Sequence, residues 1–199
     1  MLVSILSILS YVDAVLITSK VQVKSGIMRK WLLSIGLLTA FDQATKRLAE
    51  TLLSYATPVE LLPSVNLMLT YNQGAAFSLL SEAGGWQRWF FVFLASAICI
   101  YILRWLSQLK PDQINTARAL VLIVSGGLGN LIDRIVFAQV TDFIDIYYSS
   151  TAQCLPLFFS WAQISCHWPT FNVADILICL GTGLLFIQIL RENRAHGTD

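Results

Sequence analysis

The sequence predicts an all-α integral membrane protein: a four-transmembrane-helix bundle carrying a small extracytoplasmic β-element and an interfacial segment. Three observations lead there. Of 199 residues, 56% are hydrophobic and only 13% charged, against about 45–50% and about 25% in soluble domains. Mean hydropathy is +0.66. The apolar residues are also gathered into four runs separated by polar connections, rather than scattered as in a soluble core.

The runs are WLLSIGLLTAF (31–41), WFFVFLASAICIYIL (89–103), ALVLIVSGGLGNLI (119–132) and ILICLGTGLLFIQIL (176–190). A spanning helix needs about 20 residues to cross a hydrocarbon core of about 30 Å. The second run reaches that length because Arg88 and Arg104 at its ends can snorkel. The others reach it only by extending through Asp42, Asp133 and Asp175, which places carboxylates in the membrane or at its edge. Acids in that setting are functional candidates by default.

Lys20, Lys24, Arg29 and Lys30 precede the first run, Arg104, Lys110 and Arg118 flank the second connection, and Arg191 and Arg194 follow the fourth run. Segment 136–170 has no Lys or Arg. The positive-inside rule therefore puts both ends of the core and the 104–118 connection in the cytoplasm, and segments 51–87 and 136–170 outside. Lys46 and Arg47 break that rule locally, so they are expected to face protein. In SVNLMLTYNQGAAFS (64–78) apolar and polar residues alternate ahead of an Asn-Gln-Gly turn signal, which predicts a β-element bent at Gly74. Segment 147–163 reads as an interfacial helix or a sheet edge.

The stretch before Met28 is apolar but interrupted by Asp13. A fifth span, an interfacial helix, a cleaved signal peptide and translation starting at Met28 all stay open. Residues 1–27 are accordingly set apart as an extension, 28–191 as the membrane domain and 192–199 as a polar cytoplasmic tail.

The polar residues inside the runs are spaced to meet. Asp42 and Lys46 lie four apart on one helical face, the spacing of an intramembrane ion pair. Gly126, Gly127 and Gly129 permit close helix contact, and Asn130 and Asp133 follow on one face with Arg134 adjacent. An acid beside a permanent guanidinium is read as scaffolding, whereas Asp142 and Asp175 have no basic neighbour in sequence. Two such acids brought together share a proton and divide into base and acid. Asp145 is expected to be exposed at the interface. No Ser-His-Asp, Cys-His, phosphate-loop or dinucleotide motif occurs, and no zinc-ligand spacing; His167 beside Cys166 reads as a loop histidine. Nothing in the charge pattern suggests nucleic acid. A proton-coupled transporter would also hold buried acids, but it more usually shows internal repeats; a scaffold would not explain two unpaired acids.

DQATK (42–46), NQGAAFS (72–78), GGLGNLIDR (126–134), VTDF (140–143) and FNVAD (171–175), in this order, resemble the lipoprotein signal peptidase (signal peptidase II) family across residues 28–191. The resemblance implies an aspartic endopeptidase of the bacterial cytoplasmic (inner) membrane, acting at the outer face. Such enzymes remove the signal peptide of prolipoproteins just before a diacylglyceryl-modified cysteine. It implies no metal or cofactor and, as partners, prolipoprotein and membrane lipid; a monomer is expected. The catalytic pair falls on Asp142 and Asp175. Asp133, Asn130 and Arg134 are supporting positions, and Asp42, Lys46, Asn72, Gly74 and Asn172 match positions that shape the site or hold substrate. The interval from Asp142 to Asp175 is longer than the family pattern, with extra residues around 148–167. A Cys154–Cys166 disulfide, allowed on the outer side of a bacterial membrane, is expected to close that insertion, worth roughly 3 kcal/mol if unstrained.

Overall fold

The computed structural model describes residues 25–72, 86–147 and 167–196. Most of the 1–27 extension, Gly74, Cys154, Cys166 and the rest of the 148–166 insertion lie outside the described residues.

Helix α1 (Ser25–Leu52) leads into strands β1 (Val59–Leu62) and β2 (Val65–Asn72); then come α2 (Trp86–Gln108), α3 (Ile114–Phe137), β3 (Val140–Ile146) and α4 (Val173–His196). Three of these helices, α2, α3 and α4 as far as Glu192, are long and apolar enough to cross a membrane. The chain is thus a multi-pass membrane protein. α1, at 28 residues, is the longest of the four but less apolar, because Asp42, Lys46, Arg47 and Glu50 occupy its second half.

α3 is the hub, packed against α1, α2 and α4. Its buried positions change character along the helix: Ala117, Ala119, Leu120, Val121 and Val124 at one end, Ser125, Asn130 and Asp133 at the other. The apolar end joins Ile102, Trp105, Leu106, Leu109 and Leu185 in the core. α2 and α4 present large apolar side chains outward, with Phe93 75% and Phe186 56% exposed. So much unpartnered apolar surface fits lipid rather than water.

The glycines set the helix spacing. A Cβ on Gly126 would fall on the carbonyl oxygen of Ala174 and 2.8 Å from Cγ1 of Ile178, so α3 and α4 touch there nearly backbone to backbone. A Cβ on Gly129 would overlap the Asp42 carboxylate, and one on Gly127 would lie 2.9 Å from Sγ of Cys99. All three glycines therefore make the close approaches expected of them.

The antiparallel sheet has the order β1-β2-β3. β2 begins inside the stretch whose alternation marked it. β3 is a strand that the periodicity hid: five of its seven positions from Val140 to Ile146 are buried and the other two half-buried, so no clean apolar–polar alternation appears. A bulge between Leu67 and Thr70 brings Thr70 opposite Asp142 and Asn66 opposite Asp145. Isolated bridges from Ile144 to Phe171 and Tyr147 to His167 cover part of the far edge of β3. α3 ends at Ala138, held at φ 63° in the left-handed region. Arg88 donates to the carbonyls of Arg134 (2.7 Å) and Ile135 (2.6 Å), satisfying acceptors that a helix terminus leaves open.

Candidate active site

At the sheet end of the bundle, four helix and strand segments bring their polar residues together. Lys46, fully buried, lies 2.9 Å from Asp42 and 2.9 Å from Asp133, and it donates at 2.9 Å to Oδ1 of Asn130. Three acceptors match the three protons of an ammonium. The i,i+4 pair expected from DQATK is present, extended by Asp133 and Asn130. Asp42 reaches further still, accepting from the Ala174 backbone N–H at 2.8 Å, so it ties α1 to the start of α4.

Asp133 does not pair with Arg134 as the sequence suggested. Adjacent helix residues point in different directions. Its partners are Lys46, Arg47 at 3.4 Å, Gln43 Nε2 at 3.0 Å and the Thr141 backbone N–H at 3.3 Å. Arg134 instead lies over the Phe91 ring, 5.5 Å from its centroid, and donates to the Asn130 carbonyl at 3.3 Å. Its charge acts on Asp175, Asp142 and Asp133.

Asn172 is the N-cap of α4. Its Oδ1 accepts from the Asp175 N–H at 3.0 Å, and its own N–H donates to Asp175 Oδ2 at 3.2 Å. The reciprocal pair is a capping box, and it explains the Asn-x-x-Asp spacing in FNVAD. Capping fixes which way the amide points, leaving Nδ2 to donate to Asp142 Oδ1 at 2.6 Å, to Asn130 Oδ1 at 3.1 Å and to the Thr141 carbonyl at 3.3 Å. Asn130 is oriented likewise: with Oδ1 facing Lys46, its Nδ2 donates to Asp175 Oδ1 at 2.8 Å. Two asparagines thus join the two acids.

Asp142 is 3% exposed. Burial, then the charge of Asp175, push its carboxyl from 3.8 up to about 7; hydrogen bonds from Asn172 and Asn72 and the charge of Lys46 oppose the shift. An acid of that strength, beside a second carboxylate, can hold or release a proton near neutrality. Asn72, the first residue of the NQGAAFS motif and the end of β2, bonds Asp142.

Asp145 is not exposed. It is fully buried, accepting from Asn66 Nδ2 at 2.9 Å, with His167 Nδ1 2.9 Å from each of its oxygens. Three positions along a strand separate it from Asp142, which sends it to the opposite face. Its contacts tie β3 to β2 and to the segment entering α4. Gln43, Glu50 and Thr141 were also missed, whereas Arg47, expected to face protein, does so against Asp133, Thr141 and Glu50. The i,i+3 spacing of Arg47 and Glu50, which pair at 2.6 Å, was a further trace in the sequence.

The family model described as signal peptidase (SPase) II matches residues 34–191. The lipoprotein signal peptidase of Hydrogenovibrio crunogenus is 42% identical over 180 residues, covering 88% of this chain and 95% of that one. That of an Acinetobacter baumannii strain is 43% identical over 171 residues, covering 85% and 89%. A bacterial membrane enzyme solved by the in meso method at 2.3 Å superposes with a TM-score of 0.64 at 27% identity, covering 82% of this chain and 89% of that one. By motif order, fold and sequence, the chain belongs to the lipoprotein signal peptidase (signal peptidase II) family.

Proposed function

We propose that the chain is a membrane aspartic endopeptidase that cleaves diacylglyceryl-modified prolipoproteins before the lipidated cysteine, with Asp142 and Asp175 as its catalytic pair. The observation that carries this reading is Asn172, which bonds Asp142 through its side chain and Asp175 through its backbone. Family membership supplies the reaction class, since relatives of this length are lipoprotein signal peptidases.

The pair holds one proton and a water molecule between its members. The ionised carboxylate takes a proton from water as its oxygen attacks the scissile carbonyl carbon. The protonated partner gives its proton to the developing oxyanion. The tetrahedral intermediate collapses when the leaving nitrogen of the lipidated cysteine takes a proton from the dyad and the C–N bond breaks. The carbonyl re-forms and returns its proton to the pair, which regains its resting single proton. Because the acids are coupled, the two titrations belong to the pair rather than to either residue.

Lys46, Asp42 and Asp133 serve as the charged support, Asn130 and Asn172 orient the pair, and Asn72, Gly74 and Arg134 contribute to holding the substrate. α1 is taken as the fourth span: the Asp42–Lys46 pair in its charged half is buried inside the bundle, both side chains 0% exposed, so lipid need not solvate that pair. Family membership points to the bacterial inner membrane, and the placement of the basic residues favours both ends of the core in the cytoplasm and the sheet end outside. The protein acts as a monomer on its lipidated substrate within the lipid surface.

The test is a cleavage assay with the full chain in liposomes, given one prolipoprotein with and without its diacylglyceryl group. Cleavage only of the lipidated form, yielding a new N-terminus at the modified cysteine, is expected. Equal cleavage of both, or cleavage elsewhere, contradicts the substrate assignment.

A further inference from the structure

The proposed pair is split between two bodies. Asp175 belongs to the helix bundle, while Asp142 belongs to the sheet, and α1 and α3 touch β3 only lightly. The ladder to β2, with Tyr71 opposite Thr141 and Thr70 opposite Asp142, fixes β3 within the sheet. It does not fix the sheet against the bundle, and the spacing of the two acids depends on that second relationship.

Thr141, next to Asp142 and 1% exposed, bonds to the bundle through every polar atom it has. Its N–H donates to Asp133 of α3 at 3.3 Å, its carbonyl accepts from Asn172 at 3.3 Å, and its hydroxyl donates to Glu50 Oε1 of α1 at 2.7 Å. Glu50 is held in turn by Arg47 on its other oxygen at 2.6 Å. The hydroxyl bond to a carboxylate is charge-assisted and directional, and it is the one of the three that a side-chain change can remove without touching the backbone or the dyad's own partners. Resting on the dyad reading above, we infer that Glu50 is a positioning residue which, through the Thr141 hydroxyl, sets the distance of Asp142 from Asp175. The shared water requires that distance, and displacement of reacting groups by about 1 Å can cost about 100-fold in rate.

The test uses the full chain in liposomes with lipidated prolipoprotein, steady-state kinetics and a melting temperature for each variant. Thr141→Val keeps the shape and loses the hydroxyl; Glu50→Leu loses the acceptor. Each is expected to lower kcat about tenfold or more while KM stays within about twofold, the pattern of a contact used in the transition state. The double variant loses less than the product of the two single losses, because the Thr141–Glu50 bond is lost in both. Glu50→Leu also frees Arg47, and Thr141→Val also removes the hydroxyl that Arg47 reaches at 3.4 Å. Thr141→Ser and Glu50→Gln, which keep a donor and an acceptor, recover most of the lost rate. Wild-type kcat in Thr141→Val, losses that multiply in the double variant, or a loss confined to KM overturns the inference. So does a kcat loss in Thr141→Ser equal to that in Thr141→Val. If Glu50→Leu does not fold, the Thr141 pair alone decides. Asp142→Asn, run alongside, separates the two readings: cleavage by that variant removes the dyad itself, whereas its inactivity with an unaffected Thr141→Val removes only the positioning role.

Discussion

Asn172 donates to Asp142 across 2.6 Å from the same amide that caps the helix carrying Asp175. One side chain therefore links the start of α4 to the strand opposite it. The helix terminus and the proposed catalytic geometry depend on the same residue, and substitution can separate them.

Asn172→Ser keeps a cap but is too short to reach Asp142, whereas Asn172→Ala loses both. The alanine variant should lose about 0.5–2 kcal/mol of stability and the serine variant much less, yet both should fall at least about tenfold in kcat. Thermal unfolding in detergent beside a cleavage assay checks this. Serine with wild-type kcat would show that the Asp142 bond is idle.

Lys46 is the buried counter-charge for Asp42 and Asp133. Lys46→Met leaves two carboxylates buried without it and should cost about 3–5 kcal/mol. Replacing all three, as Asp42→Asn/Lys46→Met/Asp133→Asn, removes the uncompensated charges and should be less destabilising than the single change. Denaturant unfolding compares them. A triple variant weaker than Lys46→Met would mean that hydrogen bonding, rather than charge balance, dominates there.

The raised carboxyl of Asp142 has a fixed sign. Folded Asp142 keeps its proton up to about pH 7, whereas an ordinary carboxyl releases it near 3.8. Between those values the folded state holds the extra proton, so this group's contribution to stability falls as pH rises. Asp142→Asn should gain on wild type in melting temperature across that window and then level off. The wild type's kcat/KM should also decline above about pH 7, as the dyad loses its proton. A melting-temperature difference independent of pH would contradict the assignment.

Gly126 and Gly36 make a matched pair of substitutions. A methyl at Gly126 meets the Ala174 carbonyl, while one at Gly36 meets nothing within 4 Å. Gly126→Ala should cost about 1–3 kcal/mol through overpacking, and Gly36→Ala should be neutral or gain up to about 1 kcal/mol from helix propensity. Equal melting temperatures for the two variants would contradict the close contact of α3 with α4.

Much of the site was legible because its partners are local. Asp42 and Lys46, Asn130 and Asp133, and Asn172 and Asp175 are spaced to share a helix face or a cap, and each pair does meet at one polar centre. The unreadable part is long-range. Thr141 meets Glu50 across 91 positions and Asn66 meets Asp145 across 79, contacts that no periodicity encodes. Burial of β3 on both faces erased the alternation that would have marked it as a strand. With the strand hidden, Asp145 looked like a surface residue, and adjacency in sequence assigned Arg134 to Asp133 although the helix turns them apart.

The central claim is that Asp142 and Asp175 act as one catalytic unit. The most direct measurement is single-turnover cleavage of lipidated prolipoprotein in liposomes by wild type, Asp142→Asn, Asp175→Asn and the double variant, each shown to be folded by its melting transition. Loss of cleavage by at least about 1,000-fold in each single variant, with the double variant no slower, is expected of groups that work as a unit. Cleavage at the wild-type rate by either folded single variant, or losses that multiply in the double variant, would contradict it.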